Sequence, residues 1–182
     1  MDIFYTEMDT AGPDGFTQTI VGVICMVREI GFPMFNHAGR NPAEVLSEDG
    51  WLYTGDMAQE DEDGFIFLVD RKKDVIISGG ENIYPVQIED FLRNYTAIHD
   101  VAVIGLPDKR LGEITAAIIE LKPDASCTEE EINAFCRKLP RYKRPRSIIF
   151  ADIPRNPTGK IEKPKLRERY CSINLVAAQN RG

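Results

Sequence analysis

Long hydrophobic segments are absent from this 182-residue sequence, and cysteine and histidine are scarce. No apolar run reaches the roughly 20 residues that a membrane-spanning helix needs, and the acidic first residues lack the basic-then-apolar pattern of a signal peptide. The four cysteines (Cys25, Cys127, Cys136 and Cys171) are widely spaced, form no CxxC pair, and are accompanied by only two histidines. We therefore expect no metal site and no disulfide framework, and we expect a cytoplasmic location.

Basic side chains are scarce in the first part of the chain, and the net charge changes sign between its two parts. Residues 1–70 contain 14 acidic and 2 basic side chains, whereas residues 71–182 contain 15 acidic and 20 basic ones. The basic excess is concentrated in residues 137–169, with 12 basic and 3 acidic side chains. Such a pattern fits either a solvated surface or a basic lobe that handles phosphorylated ligands. Nucleic acid is a weaker alternative, because aromatic residues are not interleaved with the basic ones as in single-strand binders.

The first part of the chain is predicted to be rich in strands. Residues 1–15 show little periodicity and are expected to be irregular, while residues 18–28 form an apolar, β-branched run that is typical of a buried strand. Residues 41–47 are predicted as a short helix that begins with proline. Residues 51–55 and 64–69 are predicted as short strands.

The second part alternates strands with amphipathic helices. Strands are predicted at 74–78, 101–106, 114–121 and 147–151, and helices after Pro85, after Thr128 with its capping partner Glu131, and from Pro164 to Tyr170. The fold class is therefore α+β, in which a small three-stranded sheet is flanked by helices and preceded by a strand-rich segment. Residues 171–182 are expected to be a frayed tail.

One loop carries a candidate catalytic residue. Residues 154–161 have the sequence PRNPTGKI, in which Pro157, Thr158 and Gly159 predict a tight turn that presents Lys160. A cation held in a fixed place can stabilise a phosphate or carboxylate that passes through a charged transition state. An ordinary surface turn would have the same local sequence, so this motif alone does not establish catalysis.

Two further motifs precede this loop in a fixed order. Residues 50–56 are GWLYTGD, and residues 70–89 are DRKKDVIISGGENIYPVQIE. With the PTGK loop, they closely resemble the carboxyl-terminal part of the adenylate-forming superfamily, which comprises acyl- and aryl-coenzyme A synthetases, peptide-synthetase adenylation domains and luciferases. The resemblance extends from about Pro33 to Tyr170, and the sequence GGENIYP is closer to that of the acyl- and aryl-coenzyme A synthetases than to that of the peptide-synthetase domains.

The resemblance implies a nucleotide site and a hinge. It assigns Asp56 to the two ribose hydroxyls of ATP, and it places Thr54 in the same nucleotide-binding motif. Arg71 corresponds to a position that contacts the nucleotide, for which a guanidinium is well suited. Asp70 corresponds to the hinge about which the small domain rotates between two half-reactions, and the change in the sign of the charge falls at the same position.

The resemblance also implies a reaction in two steps. Lys160 corresponds to the catalytic lysine of the first step, in which a carboxylate attacks the α-phosphate of ATP, bound with Mg²⁺, and expels pyrophosphate. Residues Ser78, Gly79, Gly80 and Glu81 correspond to the loop that meets the pantetheine arm of coenzyme A in the second step, which releases AMP. The implied function is that of an AMP-forming acyl-coenzyme A synthetase.

The sequence also lacks parts that this reaction needs. It contains no Ser/Thr/Gly-rich phosphate loop and no segment that could form an acyl pocket. We therefore expect residues 1–69 to be the end of a large amino-terminal domain, 70–71 a hinge, 72–170 a mobile lid domain and 171–182 a tail. The chain alone is expected to be inactive and to need the large domain in cis or in trans. Alternatives are a non-catalytic, stand-alone module that binds a nucleotide or a partner chain, and another kind of adenylate-forming enzyme.

Overall fold

The computed structural model describes residues 3–11, 17–26, 51–60, 63 and 65–179. The chain divides into two compact units, residues 1–73 and residues 74–182. The helix predicted at 41–47 lies outside the described residues. Within the described residues, no helix is long and apolar enough to cross a membrane.

The first unit contains an antiparallel sheet of four strands in the order β1-β2-β3-β4. The strands are β1 (Ile3–Ala11), β2 (Thr17–Met26), β3 (Trp51–Glu60) and β4 (Ile66–Arg71). The last three confirm the predicted strands. The prediction that residues 1–15 are irregular is wrong for β1, because this segment pairs along its whole length with β2, from Ile3 opposite Cys25 to Ala11 opposite Thr17.

Among its described residues, the second unit contains a sheet of five strands and three α-helices. Its elements are β5 (Ile76–Ser78), β6 (Glu81–Ile83), α1 (Pro85–Arg93), β7 (Ile98–Asp108), β8 (Gly112–Leu121), α2 (Glu129–Cys136), β9 (Ser147–Phe150) and α3 (Lys163–Gln179). The strands follow the order β6-β5-β8-β7, and β9 runs parallel to β8.

This arrangement confirms the α+β class, but the sheet has more strands than the three expected. A two-residue turn folds β6 back onto β5, which adds a hairpin to the sheet. Both β5 and β9 pair with the same long strand: β5 pairs at Gly112, and β9 pairs at residues 116–119. Strands β5 and β9 lie where the sequence predicted strands at 74–78 and 147–151, whereas β6 was not predicted, because a segment of three residues is too short to show hydrophobic periodicity.

The hydrophobic core lies on both faces of the five-stranded sheet. Alternate residues of β7 point to opposite sides, with Val101 and Val103 in one cluster and Ala102 and Ile104 in the other. The first cluster also includes Ile88 and Leu92 of α1 and Ile132 and Cys136 of α2. The second includes Leu166 and Tyr170 of α3. The sheet is thus covered by α1 and α2 on one face and by α3 on the other.

The start of helix α2 agrees with the prediction from sequence, whereas the end of helix α3 does not. Helix α2 has the predicted capping box, in which the Thr128 hydroxyl accepts from the backbone N–H of Glu131, and the Glu131 carboxylate accepts from that of Thr128. Helix α3 continues to Gln179, whereas the sequence predicted its end at Tyr170 and a frayed tail from residue 171. Residues 171–179 contain no glycine or proline, so nothing local stops the helix at Tyr170.

Candidate functional site

Lys160 lies in a narrow, hydrogen-bonded loop between β9 and α3. We call residues 155–161 the lysine loop. Its ends meet in an antiparallel bridge between Arg155 and Ile161, and the backbone N–H of Asn156 donates to the carbonyl of Lys160 at 2.9 Å. The turn between them contains Gly159 with a φ of +83°. The loop presents the exposed Lys160 side chain next to a closed turn, as the PTGK sequence predicted.

Asn156 organises this loop, and the sequence analysis missed it. Its side-chain Oδ1 accepts from the backbone N–H of Thr158 at 3.0 Å, from the Thr158 hydroxyl at 2.8 Å and from the backbone N–H of Lys160 at 2.8 Å. One amide oxygen therefore fixes both residues that flank Gly159. The available signal was an asparagine immediately before the turn, where its side chain can accept from the backbone N–H two residues further on.

The predicted pantetheine loop is the turn of a hairpin formed by β5 and β6, which we call the glycine hairpin. Ser78 pairs with Glu81, and the two residues between them, Gly79 and Gly80, have φ values of +62° and +89°. Two consecutive positive φ values are typical of a type I′ turn, which matches the twist of a hairpin. The glycine pair thus has a structural role here in addition to any contact with a ligand.

The glycine hairpin rests on the turn between β7 and β8. The backbone N–H of Gly79 donates to the carbonyl of Leu111 at 2.8 Å. Asp108 organises this β7–β8 turn, because its carboxylate accepts from the backbone N–H groups of Leu111 at 2.8 Å and Arg110 at 3.0 Å. These N–H groups, with that of Leu111 first, hold the pKa of Asp108 below its ordinary value. The carboxylate is therefore charged when it supports the turn at neutral pH.

In the first unit, the structure brings together two of the predicted nucleotide-binding residues. Asp56 on β3 and Arg71 on β4 are direct cross-strand partners, and the Arg71 Nε lies 3.0 Å from the Asp56 Oδ1. Both side chains remain partly exposed, at 35% for Asp56 and 48% for Arg71. An ion pair so open to solvent contributes little to stability, so these two charges are available to a ligand at small cost.

The remaining predicted residues of the first unit lie near this pair in sequence. Thr54 is part of β3, where the pairing with β2 shifts register. Asp70 is buried at the end of β4, and its Oδ1 accepts from the backbone N–H of Arg71 at 2.8 Å. The nucleotide-binding role of Thr54 and the hinge role of Asp70 stay predictions.

The two candidate loops of the second unit are supported from opposite ends of β7. The lysine loop is attached through Arg155 to Asp100, near the start of the strand, whereas the glycine hairpin is attached through the turn that follows Asp108, at its end. Asp108 is eight positions after Asp100, which at about 3.3 Å per residue is roughly 25 Å along the strand. Among the residues that the structure describes, no group of three or more His, Cys, Asp or Glu side chains is placed to hold a metal ion.

Comparison with known proteins places these features in a family. The family described as the AMP-binding enzyme C-terminal domain matches residues 87–160, which include all of β7 and the lysine loop as far as Lys160. The chain belongs to the adenylate-forming superfamily. This confirms the family that the three motifs indicated.

Two curated relatives are coenzyme A ligases. Over 127 residues, the chain is 49% identical to the long-chain-fatty-acid–CoA ligase FadD13 of Mycobacterium tuberculosis, a match that covers 69% of this chain and 25% of that protein. Over 128 residues, it is 47% identical to the mitochondrial medium-chain acyl-CoA ligase ACSF2 of Rattus norvegicus, covering 69% of this chain and 21% of that protein.

A solved structure extends the likeness to the fold. The o-succinylbenzoate CoA synthetase MenE of Bacillus subtilis, in complex with an acyl-adenylate intermediate, matches with a TM-score of 0.70 and 30% identity, covering 88% of this chain and 34% of that one. The chain spans about a quarter of the length of the curated relatives that it matches.

Proposed function

We propose that this chain is the carboxyl-terminal portion of an AMP-forming acyl-coenzyme A synthetase. In the first half-reaction, a carboxylate attacks the α-phosphorus of magnesium-bound ATP, which gives an acyl-adenylate and pyrophosphate. In the second, the thiol of coenzyme A attacks the acyl carbon, which gives the thioester and AMP. The observation that carries the proposal is an exposed lysine, held by a closed turn, in a chain that belongs to the adenylate-forming superfamily.

Lys160 would act in the first half-reaction. Both reactants are anionic there, so a cation that contacts an oxygen of each would lower their repulsion and fix the line of attack. The hydrogen bonds of Asn156 support this role, because they fix the backbone of Lys160 before any substrate arrives. Magnesium on the triphosphate would neutralise further charge.

Asp56, Arg71 and Thr54 would hold the nucleotide. A carboxylate can accept from two neighbouring ribose hydroxyls at once, and a guanidinium can contact ribose or phosphate. The pairing of Asp56 with Arg71 across β3 and β4 supports this assignment, because it places the two groups side by side and partly open to solvent.

The glycine hairpin, with Ser78 and Glu81 beside its turn, would contact the pantetheine arm in the second half-reaction. Gly79 and Gly80 carry no side chains, so a narrow thiol-bearing chain can lie close to their backbone. The separation of this hairpin from the lysine loop along β7 favours a change of orientation between the two steps, with Asp70 as the hinge.

The relatives' greater length supports a requirement for a large amino-terminal domain, in cis or in trans, that would bind ATP and the acyl group. A reducing cytoplasm is the location that we propose, and the free thiols of Cys127, Cys136 and Cys171 are compatible with it. Since the relatives act on acyl groups of different length, we propose no particular acyl substrate.

A chimera tests the proposal. It would carry residues 51–182 of this chain in place of the segment of FadD13 that aligns with them, and it would be compared with the same chimera bearing Lys160→Ala. Loss of one preorganised cation should slow acyl-adenylate formation by about 10²–10³-fold. Thioester formation from supplied acyl-adenylate should change little. An equal loss in both half-reactions, or none in either, would contradict the proposed role.

A further inference from the structure

Arg155 links the lysine loop to a carboxylate on the central sheet. It immediately precedes Asn156, and its Nη1 donates to the carbonyl of Gly159 at 3.1 Å, within the loop. Its Nη2 forms an ion pair with Oδ2 of Asp100 on β7. One guanidinium therefore joins the turn next to Lys160 to the strand beneath it, across 55 residues of sequence.

Asp100 has donors on several sides. Besides Arg155, it accepts from the backbone N–H of Val101 at 2.8 Å and from Nε of Arg93, on α1, at 3.3 Å. Its side chain is only 16% exposed. Burial alone would raise the pKa of Asp100, but the hydrogen bonds from Arg155, Val101 and Arg93 outweigh it and lower the pKa. The carboxylate is therefore an anion at neutral pH and holds Arg155 from a fixed position.

A second carboxylate holds the other end of the loop. Lys163, three residues after Lys160, is the first residue of α3, and its Nζ lies 2.8 Å from Oε1 of Glu89 on α1. The Glu89 side chain is 5% exposed, and the same oxygen accepts from the backbone N–H of Val103 at 2.8 Å. Both flanks of the lysine loop thus end in ion pairs with α1 and β7.

We propose that Asp100 and Glu89 are positioning residues for Lys160, which act through Arg155 and Lys163. The inference rests on the proposed function, in which Lys160 serves the adenylation step. A partly exposed ion pair such as Arg155–Asp100 contributes little to stability, and a buried one such as Lys163–Glu89 contributes little compared with apolar packing. Stability alone therefore does not account for two ion pairs at the flanks of one loop. A displacement of about 1 Å at a reacting group can slow a reaction by as much as 10²-fold, so anchoring both flanks has a catalytic use.

Hydrogen exchange on the full 182-residue chain tests the anchoring directly. Asp100→Asn keeps the shape of the side chain but removes the charge, and Arg155→Gln removes the partner. Each should speed exchange of the Asn156 and Lys160 amides by about tenfold, since the loop opens more often. The buried amide of Ala117 in β8 should be unaffected, which would show that the sheet is intact.

Two further variants complete the test. Asp90→Asn is the matched control, because Asp90 pairs with the same Arg93 at 2.7 Å and, among the residues that the structure describes, forms no hydrogen bond or ion pair with the lysine loop. It should leave loop exchange unchanged. Lys163→Gln should again speed exchange in the loop. If Asp100→Asn speeds exchange of Ala117 and so disturbs the sheet, the loop exchange of Arg155→Gln, a change at a partly exposed side chain, takes its place in the test. Unchanged loop exchange in both Arg155→Gln and Lys163→Gln would overturn the inference.

The chimera separates positioning from general stability. Asp100→Asn should lower kcat of adenylation by about tenfold, with the KM for ATP and the rate of thioester formation nearly unchanged. The double variant should be no slower than Arg155→Gln alone, because Asp100 acts through Arg155 and both changes break the ion pair between them. If Lys160→Ala slows adenylation but Asp100→Asn and Arg155→Gln do not, the positioning role is wrong while the proposed function stands. If Lys160→Ala itself has no effect, the proposed function fails first, and the positioning role fails with it.

Discussion

Asp100 and Asp108 lie at the two ends of strand β7, and each supports a different loop. Asp100 holds Arg155 and with it the loop of Lys160, whereas Asp108 organises the turn whose Leu111 carbonyl receives the N–H of Gly79. A single strand therefore sets the distance between the two loops. A domain built in this way can present one loop or the other to a site by turning as a rigid body.

The first prediction is that variants at the two ends of β7 slow different half-reactions in the chimera. Asp108→Asn should slow thioester formation by about tenfold, because the β7–β8 turn would no longer fix the glycine hairpin, and adenylation should change little. Asp100→Asn should give the opposite result. Single-turnover assays of the two half-reactions measure both effects. Parallel losses in both variants would show that the two ends of β7 do not serve separate steps.

The second prediction concerns the glycine pair. Gly79→Ala and Gly80→Ala should each destabilise the 182-residue chain by about 1–2 kcal/mol, because both positions have positive φ. Gly79→Ala should cost more, since a Cβ there would lie 3.2 Å from Cδ2 of Leu111, whereas a Cβ at Gly80 would meet no atom within 4 Å. Gly80→Asn should be milder than Gly80→Ala, because asparagine tolerates this backbone region. Thermal and urea unfolding would measure the order, and equal stability of Gly80→Ala and the unchanged chain would contradict the turn assignment.

The third prediction is a pH dependence. Burial raises the pKa of the Cys136 thiol to about 11, from an ordinary value of 9.0. Because the folded-state pKa lies above the unfolded one, the contribution of this neutral thiol to stability is complete below pH 9 and is lost as the pH rises through about 11. At pH 8, a thiol reagent should therefore modify Cys136 more slowly than the less buried Cys127 and Cys171. Peptide mass mapping over time would show the order, and Cys136→Ala should flatten the loss of stability between pH 9 and 11.

Local patterns predicted the second unit better than the first. The capping box of α2, the long strands β7 and β8 and the turn before Lys160 follow from residues that are close in sequence. Strand β1 could not be predicted in this way, because its pairing partner, β2, determines it.

The support of the candidate site was also beyond sequence reasoning. Asp100 and Arg155 are 55 residues apart, and although Arg155 lies within the PRNPTGKI motif, nothing in the sequence pairs it with Asp100. Glu89 likewise ends the motif of residues 70–89, but nothing in the sequence pairs it with Lys163. The residues that present chemistry were recognisable from the resemblance, whereas those that hold them in place became visible only when strands and helices were packed.

The last prediction concerns the hinge. Asp74, the first residue of the second unit, is buried, and its Oδ1 accepts from Nη2 of Arg167 on α3 at 2.8 Å. The chain is thus anchored to the second unit from Asp74 onward, so backbone rotation between two orientations has to occur before it. Asp70 is the residue that the sequence analysis assigned to this rotation.

Proline at this position would test the assignment. Proline fixes φ near −65°, so Asp70→Pro in the chimera should allow one orientation and hinder the other. We expect adenylation to survive and thioester formation to fall by at least about tenfold, because Arg71 and the lysine loop both serve the first step. Lys73→Pro is the matched control, since it lies within the short turn of residues 72–74, where proline is tolerated better, and it should keep both rates. Single-turnover measurements of each half-reaction would test the assignment. If thioester formation falls in Lys73→Pro but not in Asp70→Pro, the pivot lies in the residues just before Asp74. If both half-reactions keep their normal rates in Asp70→Pro, Asp70 is not the hinge.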